Sequence, residues 1–317
     1  MPQIIDLNHS EDPRDIIHRA VQALAEGKLV GFASETNYIV AAYSLQPEAV
    51  QKLAACSHPE HPPARTLALK SPLEALDYVR NPGKIGEKLI RRCWPGPVTL
   101  LFPVSEDSGI LDSLPPEVRQ LIIVNGELPC RVVGEEVLQA VQRLLPAPLI
   151  ISSDFPPNGT PARTAAELAN SQSPEISQSP EIDLIIDHGH CRYSSTSTIV
   201  RINDLHWEIL HEGVVNERTV RRLLGDVYLF VCTGNTCRSP MAEALFRKLV
   251  ADKLGCSEEE LTEKGFVSVS AGLAAYPGSG PSPEAVEVLK LQGIDLSPHE
   301  SQPLTPRLLS QADYVFT

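Results

Sequence analysis

A cysteine, five residues and an arginine, in the run Cys232-Thr-Gly-Asn-Thr-Cys-Arg238-Ser239, form the part of the sequence best suited to covalent chemistry. The run follows the β-rich stretch 227–231 (VYLFV) and precedes a helical pattern. In that context successive backbone N–H groups converge on an anion. Sulfur then lies at the bottom of the cradle with a guanidinium at its side. The helix N-terminus and Arg238 both favour thiolate over thiol, so Cys232 is expected to have a lowered pKa and to act as a nucleophile at neutral pH. Arg238 can hold two phosphoryl oxygens at once, which a lysine cannot. Gly234 is expected to turn the loop with positive φ and to let it approach a phosphate closely. Asn235 also tolerates the left-handed region and can lock the loop with its side chain. The plainer alternative is a buried cysteine followed by a helix-capping Arg/Ser pair; the loop composition and the preceding strand favour the anion cradle.

The elements that must position this loop follow from periodicity. Residues 227–231 read as a strand buried on both faces, hence central and parallel. A helix is expected over 240–254, a strand over 266–270, a helix over 282–291 and a third strand from 312. Strand–loop–helix repetition of this kind predicts a Rossmann-like, doubly wound sheet. Upstream, Ile16, Ile17, Ala20, Val21 and Leu24 recur at helical spacing over 14–27, and Gly27 closes that helix. Helices are expected over 47–55 and 85–93, the second halted by Trp94-Pro95-Gly96-Pro97. Strands are expected over 29–32, 98–104, 121–124, 149–152, 184–186 and 197–202. The class is therefore α/β or α+β, in two domains, 1–222 and 223–317, joined by a very short linker near 218–225. The hexamer SQSPEI at 171–176 is repeated at 177–182 and reads as a duplicated surface loop.

The bulk properties exclude several classes. The chain has 317 residues, and no stretch approaches the roughly 20 apolar residues that cross a bilayer. The first residues lack the basic-then-apolar order of a signal peptide, so a cytoplasmic protein is expected. Seven scattered cysteines without CxxC or Cys/His spacing predict neither a disulfide framework nor a metal site; Cys56, Cys93, Cys130 and Cys191 read as small, partly buried residues. Net charge is −13, with 12 acids against 7 bases from Asp226 onward. Neither half carries the basic excess that direct nucleic-acid binding needs.

The segment CTGNTCRSPMAEAL, with Ser270-Ala271-Gly272, Gly293-Ile294-Asp295-Leu296 and His299, resembles low-molecular-weight protein-tyrosine phosphatases. The resemblance implies Cys232 as nucleophile, Arg238 as phosphate clamp and Ser239 as donor to the thiolate, with no cofactor. Thr233, Gly234, Asn235, Thr236 and Cys237 would complete the substrate-binding loop. It implies that Asn235, Ser270 and His299 form the network fixing that loop, and that Tyr276 is an aromatic cleft residue. Thr236 stands where tyrosine-specific members carry an aliphatic residue and resembles the bacterial branch that acts on phosphoarginine. The resemblance also implies that Cys237 can form a disulfide with Cys232 and protect it from over-oxidation. Related arsenate reductases need a further cysteine pair beyond the loop, and Cys256 is the last cysteine here. No Asp-Pro pair, the family's general acid, follows Cys232 before Thr317. The domain is therefore expected to be truncated before its general-acid loop, with a rate lowered by about 10²–10⁴.

The first domain resembles the YrdC/Sua5 family from about Asp15 to Val215. The matching stretches are Phe32-Ala-Ser-Glu-Thr-Asn-Tyr38, Trp94-Pro-Gly-Pro-Val-Thr-Leu100, Cys130-Arg131-Val132, Ser197-Thr198-Ile199-Val200 and Leu210-His211-Glu212-Gly213. The resemblance implies a twisted open α/β sheet with a nucleotide-sized cavity, ATP as a cofactor, and threonylcarbamoyl-adenylate synthesis linked to tRNA modification. It implies a pocket shaped by Ser34, Thr36, Tyr38, Arg131, Ser153, Ser197 and Thr198. The family's Lys-x-Arg reads Ser57-His58-Pro59 here, with Arg65 nearby; its Ser-x-Asn reads Ser153-Asp154-Phe155; and its terminal Arg is His211. A triphosphate is hard to hold without those charges. The leading expectation is a phosphomonoesterase for phosphotyrosine or phosphoarginine in a phosphorylated protein, fused to a degenerate nucleotide-binding domain. The alternatives are a working synthase and a non-catalytic phosphate- or nucleotide-binding module.

Overall fold

The computed structural model describes residues 2–10, 12–55, 65–104, 109–153, 161–171, 181–193, 195–203 and 206–317. Its contacts divide into two compact units, Met1–Asn216 and Glu217–Thr317.

The first unit is built on ten strands: β1 (Gln3–Asp6), β2 (Val30–Ala33), β3 (Tyr38–Tyr43), β4 (Thr66–Ala68), β5 (Val98–Pro103), β6 (Glu127–Arg131), β7 (Leu149–Ser152), β8 (Leu184–Asp187), β9 (Thr198–Asn203) and β10 (His206–His211). They form one mixed sheet in the order β1-β8-β2-β3-β7-β4-β6-β5-β9-β10. Every residue of β3 is buried, which suits an apolar run covered on both faces. The helix Pro13–Ala25 starts at Asp12, whose side chain accepts from the Arg14 N–H, and Gly27 at φ 78° lets the chain leave it. Its Ile16, Ala20 and Leu24 pack with Val30, Phe32, Ile39 and Val141 in the core.

One expected strand is a helix. Residues 116–122 form the helix Pro116–Ile122, and Val124 pairs only as an isolated bridge with Glu127. Pro116 in the first turn presets a helical φ, and Val118 and Ile122, four residues apart, are buried on one face. An apolar cluster this short does not distinguish strand from helix end. Most of the repeated hexamers, together with Cys56, Ser57, His58, Pro59, Asp154 and Phe155, lie outside the described residues.

In the second unit the residues read as a linker form the helix Glu217–Leu224. Three parallel strands follow, β11 (Asp226–Cys232), β12 (Phe266–Gly272) and β13 (Tyr314–Phe316), in the order β12-β11-β13 with β11 central. On one face Leu229, Val231 and Ala271 pack with Leu304 and Leu308. On the other, Tyr228 and Phe230 stack on Tyr314 and Phe316 and meet Phe246. The helix after β11 is Arg238–Leu254, so it begins at Arg238 and not at Pro240. Proline is tolerated in that first turn because its missing N–H would have had no helical partner. Gly255, left-handed at φ 63°, ends this helix. Among the described residues no helix is long and apolar enough to cross a membrane.

Candidate active site

The central strand β11 ends at Cys232 and the next helix begins at Arg238, so the whole loop lies between a sheet edge and a helix N-terminus. The Asn235 N–H donates to Cys232 Sγ at 3.2 Å, and Ser239 Oγ lies 3.0 Å from the same sulfur. Burial pushes the Cys232 thiol up. The Ser239 hydroxyl and the backbone N–H groups of Ser239, Asn235 and Gly234 outweigh that effect, and the thiol ends below its ordinary value. Arg238 is exposed at the rim, its Nη2 donating to Thr233 Oγ1 at 3.3 Å. Cys237 is exposed beside it.

Of the two loop residues expected to allow the turn, only Asn235 takes the left-handed region. Asn235 adopts φ 54°, whereas Gly234 is not among the positive-φ residues. A Cβ at 234 would meet only Thr236 Oγ1, at 3.6 Å, so the packing of the loop itself does not demand glycine there. Glycine is demanded at Gly272, at the end of β12. A Cβ there would come within 2.7 Å of the Thr233 carbonyl oxygen and 2.9 Å of the Asn235 nitrogen.

Asn235 is the hub of the loop. Its Nδ2 donates to Ser239 Oγ at 2.9 Å, its Oδ1 accepts from the Gln302 N–H at 2.8 Å, and its carbonyl accepts from His299 Nε2 at 2.7 Å. Ser270 lies alongside but is not part of this network through its side chain. Its buried hydroxyl makes no hydrogen bond, and only its carbonyl is used, accepting from Gln302 Nε2 at 3.0 Å. Gln302 carries no local signal because it acts across the fold; Gly272 lies in the matching stretch Ser270-Ala271-Gly272, but the contact that demands it shows only in the fold. Thr236 fixes the helix Pro283–Lys290 through its carbonyl, which accepts from the Ser282 N–H at 2.7 Å. Tyr276 is 81% exposed, and its carbonyl accepts from Ser301 Oγ at 2.5 Å. Leu273, also exposed, stands nearby with its N–H on the Cys232 carbonyl.

The first unit has a cleft of about 810 Å³, lined among the described residues by Thr36, Asn37, Arg163, Glu167, Ser195 and Thr196, with apolar neighbours. Of the expected pocket residues, Thr36 reaches this cleft. Ser34 Oγ lies 3.2 Å from Thr36 Oγ1 and donates to the Asn37 carbonyl, and the Ser153 carbonyl accepts from Asn37 Nδ2 at 3.2 Å. The others are turned to structural use. Tyr38 donates to Asp187 and the Gly189 carbonyl, and Thr198 Oγ1 holds the backbone of Gly213 and Val215. Ser197 is buried against Gly213, where a Cβ would sit 2.8 Å from its carbonyl oxygen. Arg131 is 2% exposed and engaged: its Nη2 donates to Glu35 Oε2 at 2.7 Å and its Nε to the Gly96 carbonyl. His211, at the family arginine's place, lies 2.6 Å from Thr196 Oγ1. Among the described residues no group of His, Cys, Asp and Glu could hold a metal ion.

Residues 22–213 match the family model Sua5/YciO/YrdC, described as telomere recombination. The chain belongs to the Sua5/YciO/YrdC family. In this Sua5/YrdC chain, residues 227–317 match a second model, low molecular weight phosphotyrosine protein phosphatase. The protein-arginine-phosphatase of Bacillus subtilis is 49% identical over 88 residues, 27% of this chain and 51% of that protein. The chain thus spans about half the length of the curated phosphatase relatives it matches. For the first unit, a putative threonylcarbamoyl-AMP synthase of Methanocaldococcus jannaschii is 25% identical over 67% of this chain and 92% of that protein. A solved variant of P. abyssi Sua5 shares the fold, with a TM-score of 0.59 at 19% identity, covering 98% of this chain and 94% of that one.

Proposed function

We propose that the second unit is a phosphomonoesterase centre that works through a cysteinyl-phosphate. The observation that carries this is Cys232 Sγ held by the Asn235 N–H and Ser239 Oγ at the mouth of a helix whose first residue is Arg238. The thiolate attacks phosphorus as the bond to the leaving oxygen breaks, and that oxygen carries away the electron pair and takes up a proton. Arg238 and the loop N–H groups hold the three remaining oxygens through the transition state. Water then attacks the thiophosphate, releasing inorganic phosphate and restoring the thiolate. The exposed Leu273 and Tyr276 favour a substrate with an apolar or aromatic portion, such as a phosphorylated side chain of a protein. Thr236 and the likeness to an arginine phosphatase favour phosphoarginine over phosphotyrosine, with a P–N bond broken in place of P–O.

The test is hydrolysis of p-nitrophenyl phosphate and of matched phosphoarginine and phosphotyrosine peptides, beside the Cys232→Ser variant. p-Nitrophenolate leaves without prior protonation, so thiolate attack on this substrate does not depend on a general acid. Hydrolysis lost in Cys232→Ser, with phosphoarginine preferred to phosphotyrosine, supports the proposal. Equal rates in the two proteins, with the fold intact, overturn it.

The first unit has a cleft with both polar and apolar lining. A second function, threonylcarbamoyl-adenylate synthesis, follows from its family. The residues present do not fit a triphosphate: Arg131 is paired with Glu35, and Arg163 is the one basic residue among the described cleft lining. We therefore assign this unit ligand binding without synthase turnover. Threonine-dependent release of pyrophosphate from ATP would overturn that assignment.

A further inference from the structure

We propose that Gln302 is a positioning residue for Cys232, acting through Asn235 and Ser239. The inference rests on Cys232 being the nucleophile of the reaction proposed above.

The geometry is a chain of donors that ends on sulfur. The Gln302 N–H donates to Asn235 Oδ1 at 2.8 Å, which fixes which way the amide faces. Asn235 Nδ2 then donates to Ser239 Oγ at 2.9 Å, occupying that oxygen as an acceptor. The one hydroxyl hydrogen of Ser239 has two acceptors within reach, Cys232 Sγ at 3.0 Å and the Ala271 carbonyl at 3.3 Å. A thiolate takes it. An ionised sulfur can only accept, so Ser239 donates to it, and the Asn235 amide that Gln302 orients places the Ser239 hydroxyl for that bond.

The side chain of Gln302 holds its own backbone in place. Nε2 donates to the Ser270 carbonyl at 3.0 Å, and the Gln302 carbonyl accepts from the Gly272 N–H at 3.0 Å. The segment is thereby fastened to the end of β12 on both sides of the strand's last turn. The buried Ser270 hydroxyl makes no hydrogen bond, so nothing from the Ser270 side chain duplicates this anchor. Without the side-chain amide the segment keeps its backbone bonds to Gly272 alone at this strand end, so the Gln302 N–H is held less firmly on Asn235 Oδ1 and the Asn235 amide is less firmly oriented.

The experiment measures the alkylation rate of Cys232 by iodoacetamide against pH, in a Cys237→Ser background so that one loop thiol reports. Gln302→Met keeps the length and removes the donor. Gln302→Arg keeps a donor. Thr305→Ala, just downstream, removes the cap that Thr305 Oγ1 gives the Leu308 N–H and is the control for general loosening. The expected result is a rise of about half to one unit in the apparent pKa of Cys232 in Gln302→Met. Gln302→Arg and Thr305→Ala should show no rise, with all variants folded by circular dichroism. A profile unmoved in Gln302→Met, or moved equally in Thr305→Ala, overturns the inference. If Gln302→Met does not fold, a rise in Gln302→Leu or Gln302→Ala replaces it, and no rise in either overturns the inference. Alkylation needs no turnover, so the two proposals fail separately. An ordinary thiol pKa in the parent chain sinks the phosphatase proposal, whereas a low pKa that ignores Gln302→Met sinks only this one.

Discussion

Arg131 in the first unit and Arg238 in the second are the two guanidiniums that a phosphate-handling protein would be expected to use, and the fold treats them oppositely. Arg131 is fully buried, with Glu35 on one side and the Gly96 carbonyl on the other. Arg238 opens a helix at the surface, with Thr233 Oγ1 as its hydrogen-bond partner. The first is part of the scaffold and the second is available to a ligand. The cysteines divide the same way. Burial pushes Cys93 up to about 12 and raises Cys130 further, which makes both inert, whereas loop donors draw Cys232 down. Residue type proposes a chemistry, and the charge and donors around it decide whether that chemistry is available.

The largest expected effect is on the buried Glu35–Arg131 pair. Glu35→Leu leaves a buried guanidinium unpaired and should destabilise the first unit by about 3–5 kcal/mol. Both tryptophans, Trp94 and Trp207, lie in that unit, so fluorescence in a urea titration reads it alone. An unchanged midpoint would show that the pair is not structural. Arg238→Lys, which loses the two-point grip, should lower kcat for p-nitrophenyl phosphate by about 10²–10³ without moving the unfolding midpoint. Gly272→Ala forces a methyl into the Thr233 and Asn235 backbone and should cost about 10- to 100-fold in kcat/KM by displacing the loop. The smallest effect is on pH. Because the Cys232 thiol lies below its ordinary value, its alkylation should persist as pH falls under the usual thiol range, where Cys191, raised to about 11, is silent.

The nucleophile, the clamp and their order were legible in the sequence because they lie on one contiguous loop between one strand and one helix. The central strand was legible for a related reason: an unbroken apolar run is what a doubly covered strand needs. What escaped the sequence acts across the fold. Gln302 reaches Asn235 and Ser270 from a separate segment, and the need for glycine at Gly272, which stood in a matching stretch, comes from Thr233 and Asn235 packed against it. Gly234 and Asn235 both suited a left-handed turn by type, and the position fell to Asn235, whose side chain is held from both ends. Arg131 was expected to shape a pocket because nothing local shows that Glu35, 96 residues away, neutralises it. Tyr38, the last residue of the matching stretch 32–38, opens a strand whose every residue is buried.

The most direct test of the account is covalent capture. The chain is mixed with p-nitrophenyl phosphate, quenched rapidly and digested, and the peptide holding Cys232 is examined by mass spectrometry. The account predicts one phosphate on Cys232, lost on standing in water and absent from Cys232→Ser. Hydrolysis of the substrate with no phosphate ever found on Cys232, or with phosphate on another residue, would contradict it.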